Sequence, residues 1–135
     1  MNISIESSLC SWLRSCTALE SIPVFTGQNS EVLPADQSIL IVSVDSTDLI
    51  VRRLYKATAT IVLATPSLID VGLEMHTDIS ANLRDTILTG ANLAESFSEP
   101  FTLAGADITS WTEAQQDGRW ITTATLTLGL LHSQI

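Results

Sequence analysis

Charge is scarce in this sequence, and positive charge scarcer still. Charged residues make up 16% of the chain, with 6 Lys and Arg against 15 Asp and Glu and a formal net charge of -9. A surface of that sign repels nucleic acid at long range and leaves no electrostatic footprint for sequence-specific DNA binding. Acidity of this kind serves solubility. Its sharper reading is an acidic ring lining a channel through which DNA slides without sticking. Cysteine is scarce too. Cys10 and Cys16 stand six apart in a helical stretch, about 120° off a shared face, and so are expected as reduced thiols. No leader is read at the start and no apolar run approaches the roughly 20 residues of a membrane span. Synthesis in a reducing cytosol is the expectation.

Catalytic motifs are missing as well. The six glycines are scattered, so there is no phosphate-cradling loop, no dinucleotide fingerprint and no nucleophile elbow. Cys10, Cys16, His76 and His132 do not have zinc-ligand spacing. Glu74, His76 and Asp78 would point in different directions from one helix and do not converge on one ion. His76 falls on an apolar face, where a core histidine with a local partner is the expected outcome. No enzyme, cofactor or metal is read from these residues.

What is present is a core. Apolar residues make up 45% of 135 residues, enough for one domain spanning residues 1–135. Thr, Ser, Ala, Leu and Ile fill the place that charge usually takes, a composition suited to neutral sheet surfaces that subunits pack against. Ile5, Leu9, Trp12, Leu13 and Cys16 recur at helical spacing, with Glu6, Ser7, Ser8, Ser11, Arg14 and Ser15 on the other face. Ser4 reads as the N-cap and Ile22-Pro23 as the stop. A short extended piece near Val24 turns at Gly27. Strands are predicted at 38–44 and 57–65, the second stopped by Pro66. Between them DSTDLIVRRLYK, with Asp45, Asp48, Arg52, Arg53 and Lys56, reads as a loop or projecting hairpin arm.

A second helix is predicted from near Ser67 to Gly90. Ile69, Leu73, His76, Ile79 or Ser80, Leu83 and Ile87 form its buried face, and Asp70, Glu74, Asp78 and Asp85 its wet one. Residues 101–112 then lead through a turn at 113–119, with Gly118 in a left-handed position, into RWITTATLTLGLL. On that return strand Trp120, Thr122, Ala124, Leu126, Leu128 and Leu130 share one face, and Ile121, Thr123, Thr125 and Thr127 the other. The first face is core. The second, Thr-rich face is expected to meet the second helix and a neighbouring subunit. Trp111 and Trp120 flank the turn and are expected across the hairpin from one another, as a ladder pair or a ligand platform. The fold class is α+β: one mixed or antiparallel sheet, an N-terminal helix, a second long helix packed on it and a closing C-terminal β-hairpin.

Read end to end, the order and texture of these segments resemble the tail terminator, or tail completion, proteins of long-tailed phages. The likeness runs through the helix of residues 4–18, PVFTG at 23–27, the strand at 38–44, ATATIVLAT, HTDISANLRDTILTG and RWITTATLTLGL. It implies a structural virion protein of the tail or neck, made in the host cytoplasm, whose subunits form a hexameric ring. Such a ring caps the tail tube and joins it to the head-proximal connector or head-closure protein, with DNA only as passing cargo and no membrane partner. The implied oligomer or docking loops carry Asp45, Asp48, Arg52, Arg53 and Lys56, and Glu113, Asp117 and Arg119. Two alternatives stay open: another neck or minor tail protein, or a stand-alone ligand-binding or enzymatic α+β domain.

Overall fold

A computed structural model of the chain describes residues 2–27, 37–67, 72–90, 93–97, 101–116 and 118–132. Its elements are α1 (Asn2–Ser15), β1 (Val24–Thr26), β2 (Ile39–Val51), β3 (Leu54–Pro66), α2 (Gly72–Thr89), β4 (Phe101–Gln116) and β5 (Arg119–His132), with 3-10 turns at Thr17–Leu19 and Ala94–Ser96. The sheet order is β1-β2-β3-β5-β4. β1 runs parallel to β2, and every other pairing is antiparallel. This is the expected α+β class, with a mixed sheet, a helix at the start, a second helix and a closing hairpin.

The period-2 pattern of β5 decides the layering. Thr122, Ala124, Leu126, Leu128 and Leu130 are all buried, and their partners Leu63, Ile61, Ala59, Ala57 and Tyr55 on β3 extend the same face. Against it α1 lays Ile5, Leu9, Trp12 and Leu13, all fully buried, and α2 lays Leu83. Burying a side chain of this size is worth roughly 1.5–3 kcal/mol, so this face holds the fold together.

The other face corrects one expectation. Thr123, Thr125 and Thr127 do not meet α2, because both helices pack on the leucine side. Cross-strand neighbours of those threonines include Thr58, Thr60 and Val62 on β3 and Asp107, Ser110 and Thr112 on β4. No described helix covers this hydroxyl-rich face. The physical reason is that a half-apolar helix gains more by covering leucines than threonines.

Element bounds differ from the sequence reading where local context outweighs propensity. Helix α1 begins at Asn2, so Ser4 lies inside it, and it ends at Ser15 instead of Ile22. Glu6, placed on the wet face, is buried. Its carboxylate accepts the Val44 N–H at 3.3 Å, a donor left free where the three residues of β1 cease to pair with β2. Strands β2 and β3 are each 13 residues, absorbing the charged stretch read as a loop. Its hairpin does not project alone, since β3 pairs with β5 from Leu54 to Pro66. Helix α2 starts at Gly72; Ile69 and Asp70 lie outside the described residues. Leu73, expected inside, is 54% exposed, while Glu74, Asp78 and Asp85 are exposed as read. Gly90 ends α2 at φ 63°, its N–H donating to the Thr86 carbonyl.

Leu126 sits at the centre of the packed face, 1% exposed. Leu126→Ala is expected to lower unfolding free energy by about 2–5 kcal/mol, measured by urea denaturation.

Candidate assembly surfaces and the His76 cluster

Three features outside the apolar core carry chemistry. The first is a polar cluster at the end of the leucine face, where β3, β5 and α2 meet. His76 is buried, as its place on the apolar face of the helix implied. Its Nδ1 lies 2.8 Å from Thr65 Oγ1 and its Nε2 2.8 Å from Thr122 Oγ1. A neutral imidazole has one donor and one acceptor nitrogen, and the two hydroxyls rotate to complement either tautomer. Ser38 Oγ continues the chain to Thr65 at 2.9 Å, and Ser80 Oγ lies 3.3 Å from Thr122 Oγ1 and donates to Glu113 Oε1 at 3.4 Å. Burial pushes the His76 pKa down, with the Glu113 carboxylate pulling against it. These hydrogen bonds pin α2 to the sheet.

A shallow cleft of about 220 Å³ opens beside this cluster, lined by Leu73, His76, Glu113 and Trp120 among others. Glu74 and Asp78, read with His76 as a conceivable metal set, are exposed while the imidazole is buried. Among the described residues no three His, Cys, Asp or Glu side chains are grouped to hold a metal ion. Trp111 and Trp120 do not face each other. Trp111 pairs with Ala124 and Trp120 with Gln115, because β4 runs on to Gln116 and β5 starts at Arg119, which places the tryptophans at different rungs. Trp111 instead lies under Arg84 of α2, 5.4 Å from guanidinium carbon to ring centroid. His132 sits between Phe101 and Tyr55, ring centroids at 5.2 and 6.1 Å.

The second feature is the open sheet face with its edges. The long edge strand β4 is exposed along most of its length, yet its register shifts between Leu103 and Gly105 and again between Ile108 and Ser110. Such bulges twist an edge and spoil it as a template for another strand. The open face is therefore more available than the edge.

The third is the β2–β3 tip. Leu49, Ile50 and Val51 are 56%, 55% and 58% exposed. Arg52 and Arg53 form the turn, both exposed, and Arg52 takes φ 48°, a seat hairpin turns usually give to glycine. Sequence reasoning singled out the two arginines but missed the apolar triplet. A run of three apolar residues inside a charged stretch was the available signal.

The eight residues read as docking positions do not gather at one site. Arg52, Arg53, Asp48 and Lys56 lie at or near the tip, Asp48 and Lys56 being cross-strand partners. Asp45, at a bulge further down β2, accepts a 2.7 Å hydrogen bond from Thr60 Oγ1. Glu113 and Arg119 belong to strands β4 and β5 at the opposite end of the sheet, with Glu113 committed to the His76 cluster. Asp117 lies outside the described residues. The free cysteines are Cys10, buried, and Cys16, half-buried, and burial raises the thiol pKa of both, which keeps them protonated and unreactive. No helix among the described residues is long and apolar enough to cross a membrane.

No protein-family model matches the sequence, and no curated protein matches it. Solved structures do share its fold. One chain from a virion of a native gene transfer agent particle aligns with a TM-score of 0.62 at 16% identity, over 94% of this chain and 93% of its own length. Another solved chain, which carries no functional description, aligns with a TM-score of 0.56 at 18% identity, over 98% and 94%.

The His76 cluster sets a pH dependence. Its folded pKa lies below the unfolded value near 6.5, so the unfolded chain takes up this proton first. The contribution is fully present above about pH 6.5 and is lost as pH falls towards and through the folded pKa. Thermal midpoints should therefore drop between pH 7.5 and 5.5, and His76→Gln should flatten that drop. An equal slope in the variant would remove His76 as its source.

Proposed function

We propose that this chain is a structural virion subunit, and more narrowly a ring-forming tail terminator that caps a tail tube and joins it to the head-proximal connector. The observation that carries the proposal is the one-sided sheet. Four long strands bury their leucine face under two helices and leave a neutral, hydroxyl-rich face without a helix over it among the described residues. A face of this kind, neither charged nor greasy, suits repeated contact with another subunit. The fold likeness to a virion chain over nearly the full length of both supports the same reading, as does the order of segments shared with tail terminators.

The charge distribution fits a ring around passing DNA. Net charge is -9, so a ring of several copies presents a strongly negative surface, and a duplex moving through its channel is not held by phosphate contacts. The cleft beside His76 favours the ligand-binding alternative, but both nitrogens of His76 and one carboxylate oxygen of Glu113 are already engaged within the cluster.

The test is the mass of the purified protein by light scattering, joined to negative-stain images with and without tail tubes. Closed rings, formed alone or on tube ends, are expected. A monomer indifferent to tubes that binds a small molecule beside His76 would overturn the reading in favour of a stand-alone domain.

A further inference from the structure

Half of the six basic residues, Arg52, Arg53 and Lys56, lie within five positions at the β2–β3 tip. The other three are placed elsewhere, with Arg14 donating to the Val24 carbonyl at 2.7 Å and Arg84 over Trp111. Next to the tip cations stand three large apolar side chains, each more than half exposed. Val51 and Leu54 pair with one another, and Leu54 with the exposed Leu131. Val51, Leu54 and Leu131 belong to the open sheet face, while Leu49, opposite Tyr55, lies across the bulge on the leucine side, so the open face ends in an apolar, basic margin.

A complementary surface exists on α2. At 100° per residue Glu74, Asp78, Ala81, Asp85 and Leu88 fall within about 80° of one another, directly opposite the buried side of the helix. All five are exposed, Leu88 by 66%, and Leu73 flanks them at 54%. The result is a ridge about 21 Å long that alternates carboxylates with apolar side chains. Its dimensions and sign match a strand end that presents two adjacent guanidinium groups beside Leu49, Ile50 and Val51.

These two surfaces do not meet within one molecule. His76 anchors α2 at Thr65, eleven residues along β3 from Leu54, or about 37 Å at 3.4 Å per residue. The ridge also points away from the sheet. A contact between tip and ridge therefore requires two copies; made in one direction it is head-to-tail, the geometry that generates rings or filaments, and made reciprocally it closes a two-fold dimer.

The turn itself adds an independent argument. Arg52 at φ 48° occupies left-handed backbone that disfavours a side-chain-bearing residue. Strain of this kind persists where the surrounding structure over-determines it and clusters at functional sites, which makes the turn a place to look for one.

We propose that the β2–β3 tip of one copy docks on the outward ridge of α2 of a second copy, with Arg52 and Arg53 against Asp78 and Asp85. The contact lays the neighbour's helix over the margin of the open sheet face. The proposal rests on the ring-forming reading and names the surfaces that build the ring.

Charge exchange tests it. Sedimentation and negative-stain imaging would compare the unaltered chain with Arg52→Glu/Arg53→Glu, with Asp78→Arg/Asp85→Arg, and with all four changes together. Each pair alone should weaken self-association at least tenfold at low salt, and the combination should recover most of it. Circular dichroism and thermal melts check that every variant folds. Arg52→Gly supplies a second arm, because relief of the turn should raise the melting temperature while self-association falls. Rings unaffected by either charge pair would overturn this contact and leave the ring reading standing. Rescue by the fourfold variant with open filaments in place of rings would support the contact and count against the ring. An unaltered chain that stays monomeric, or whose tip is needed only for binding tail tubes, would overturn the proposal.

Discussion

The alternation of leucine and threonine along β5, continued by alanine, isoleucine and threonine on β3, is the constraint on which this structure depends. Because side chains in a strand alternate strictly, one register assigns Ala124, Leu126, Leu128 and Leu130 to the core and Thr123, Thr125 and Thr127 to the other side. A slip of one residue would exchange them and bring down the whole core. Both helices follow the leucines, and the face they leave behind has no described helix over it. The packed core and the open face thus arise from one pattern read on its two sides.

Polar groups placed inside that core act as locators. Glu6 reaches from α1 to the Val44 N–H at the point where β1 stops, which fixes the helix along the strand direction. The hydroxyls of Thr65 and Thr122 do the same for α2 through both nitrogens of His76. Van der Waals packing alone is tolerant of sliding, whereas hydrogen bonds of 2.8 Å to two different strands are not. The orientation of the outer ridge of α2 is therefore set by contacts on its hidden side.

Periodicity made much of this legible in the sequence. The core positions of α1, the faces of β5, the stop at Gly90 and the left-handed Gly118 all follow from local rules, and each stands where those rules put it. Less legible were features that depend on distant neighbours. The stretch from Asp45 to Lys56 reads as a loop or a projecting hairpin arm; it is a hairpin, but β5 pairs with β3 as far as Leu54 and draws it into the sheet. The burial of Glu6 could not be seen from its helix, because its partner is a backbone amide 38 residues away. Trp111 and Trp120 were misplaced for a related reason, as the strands run past the supposed loop and shift the rungs. Of the candidate site, the tip arginines stood out by charge. The apolar triplet beside them was signalled only by its place inside a charged stretch, since the exposure of its side chains is set by where the hairpin ends.

Strand β5 follows every other strand in sequence but lies inside the sheet, between β3 and β4. During synthesis, the helices and β1 to β3 emerge first, and β3 waits with an unpaired edge until residues 119–132 leave the ribosome. Over that interval α2 has β3 to settle on but not β5, its second partner in the sheet, and the exposed β3 edge is open to the wrong strand. Timing therefore falls on the last of the five strands. A ribosome that stalls short of it releases a chain that carries most of its core residues but lacks Ala124, Leu126, Leu128 and Leu130, and with them the strand through which β4 joins the rest of the sheet.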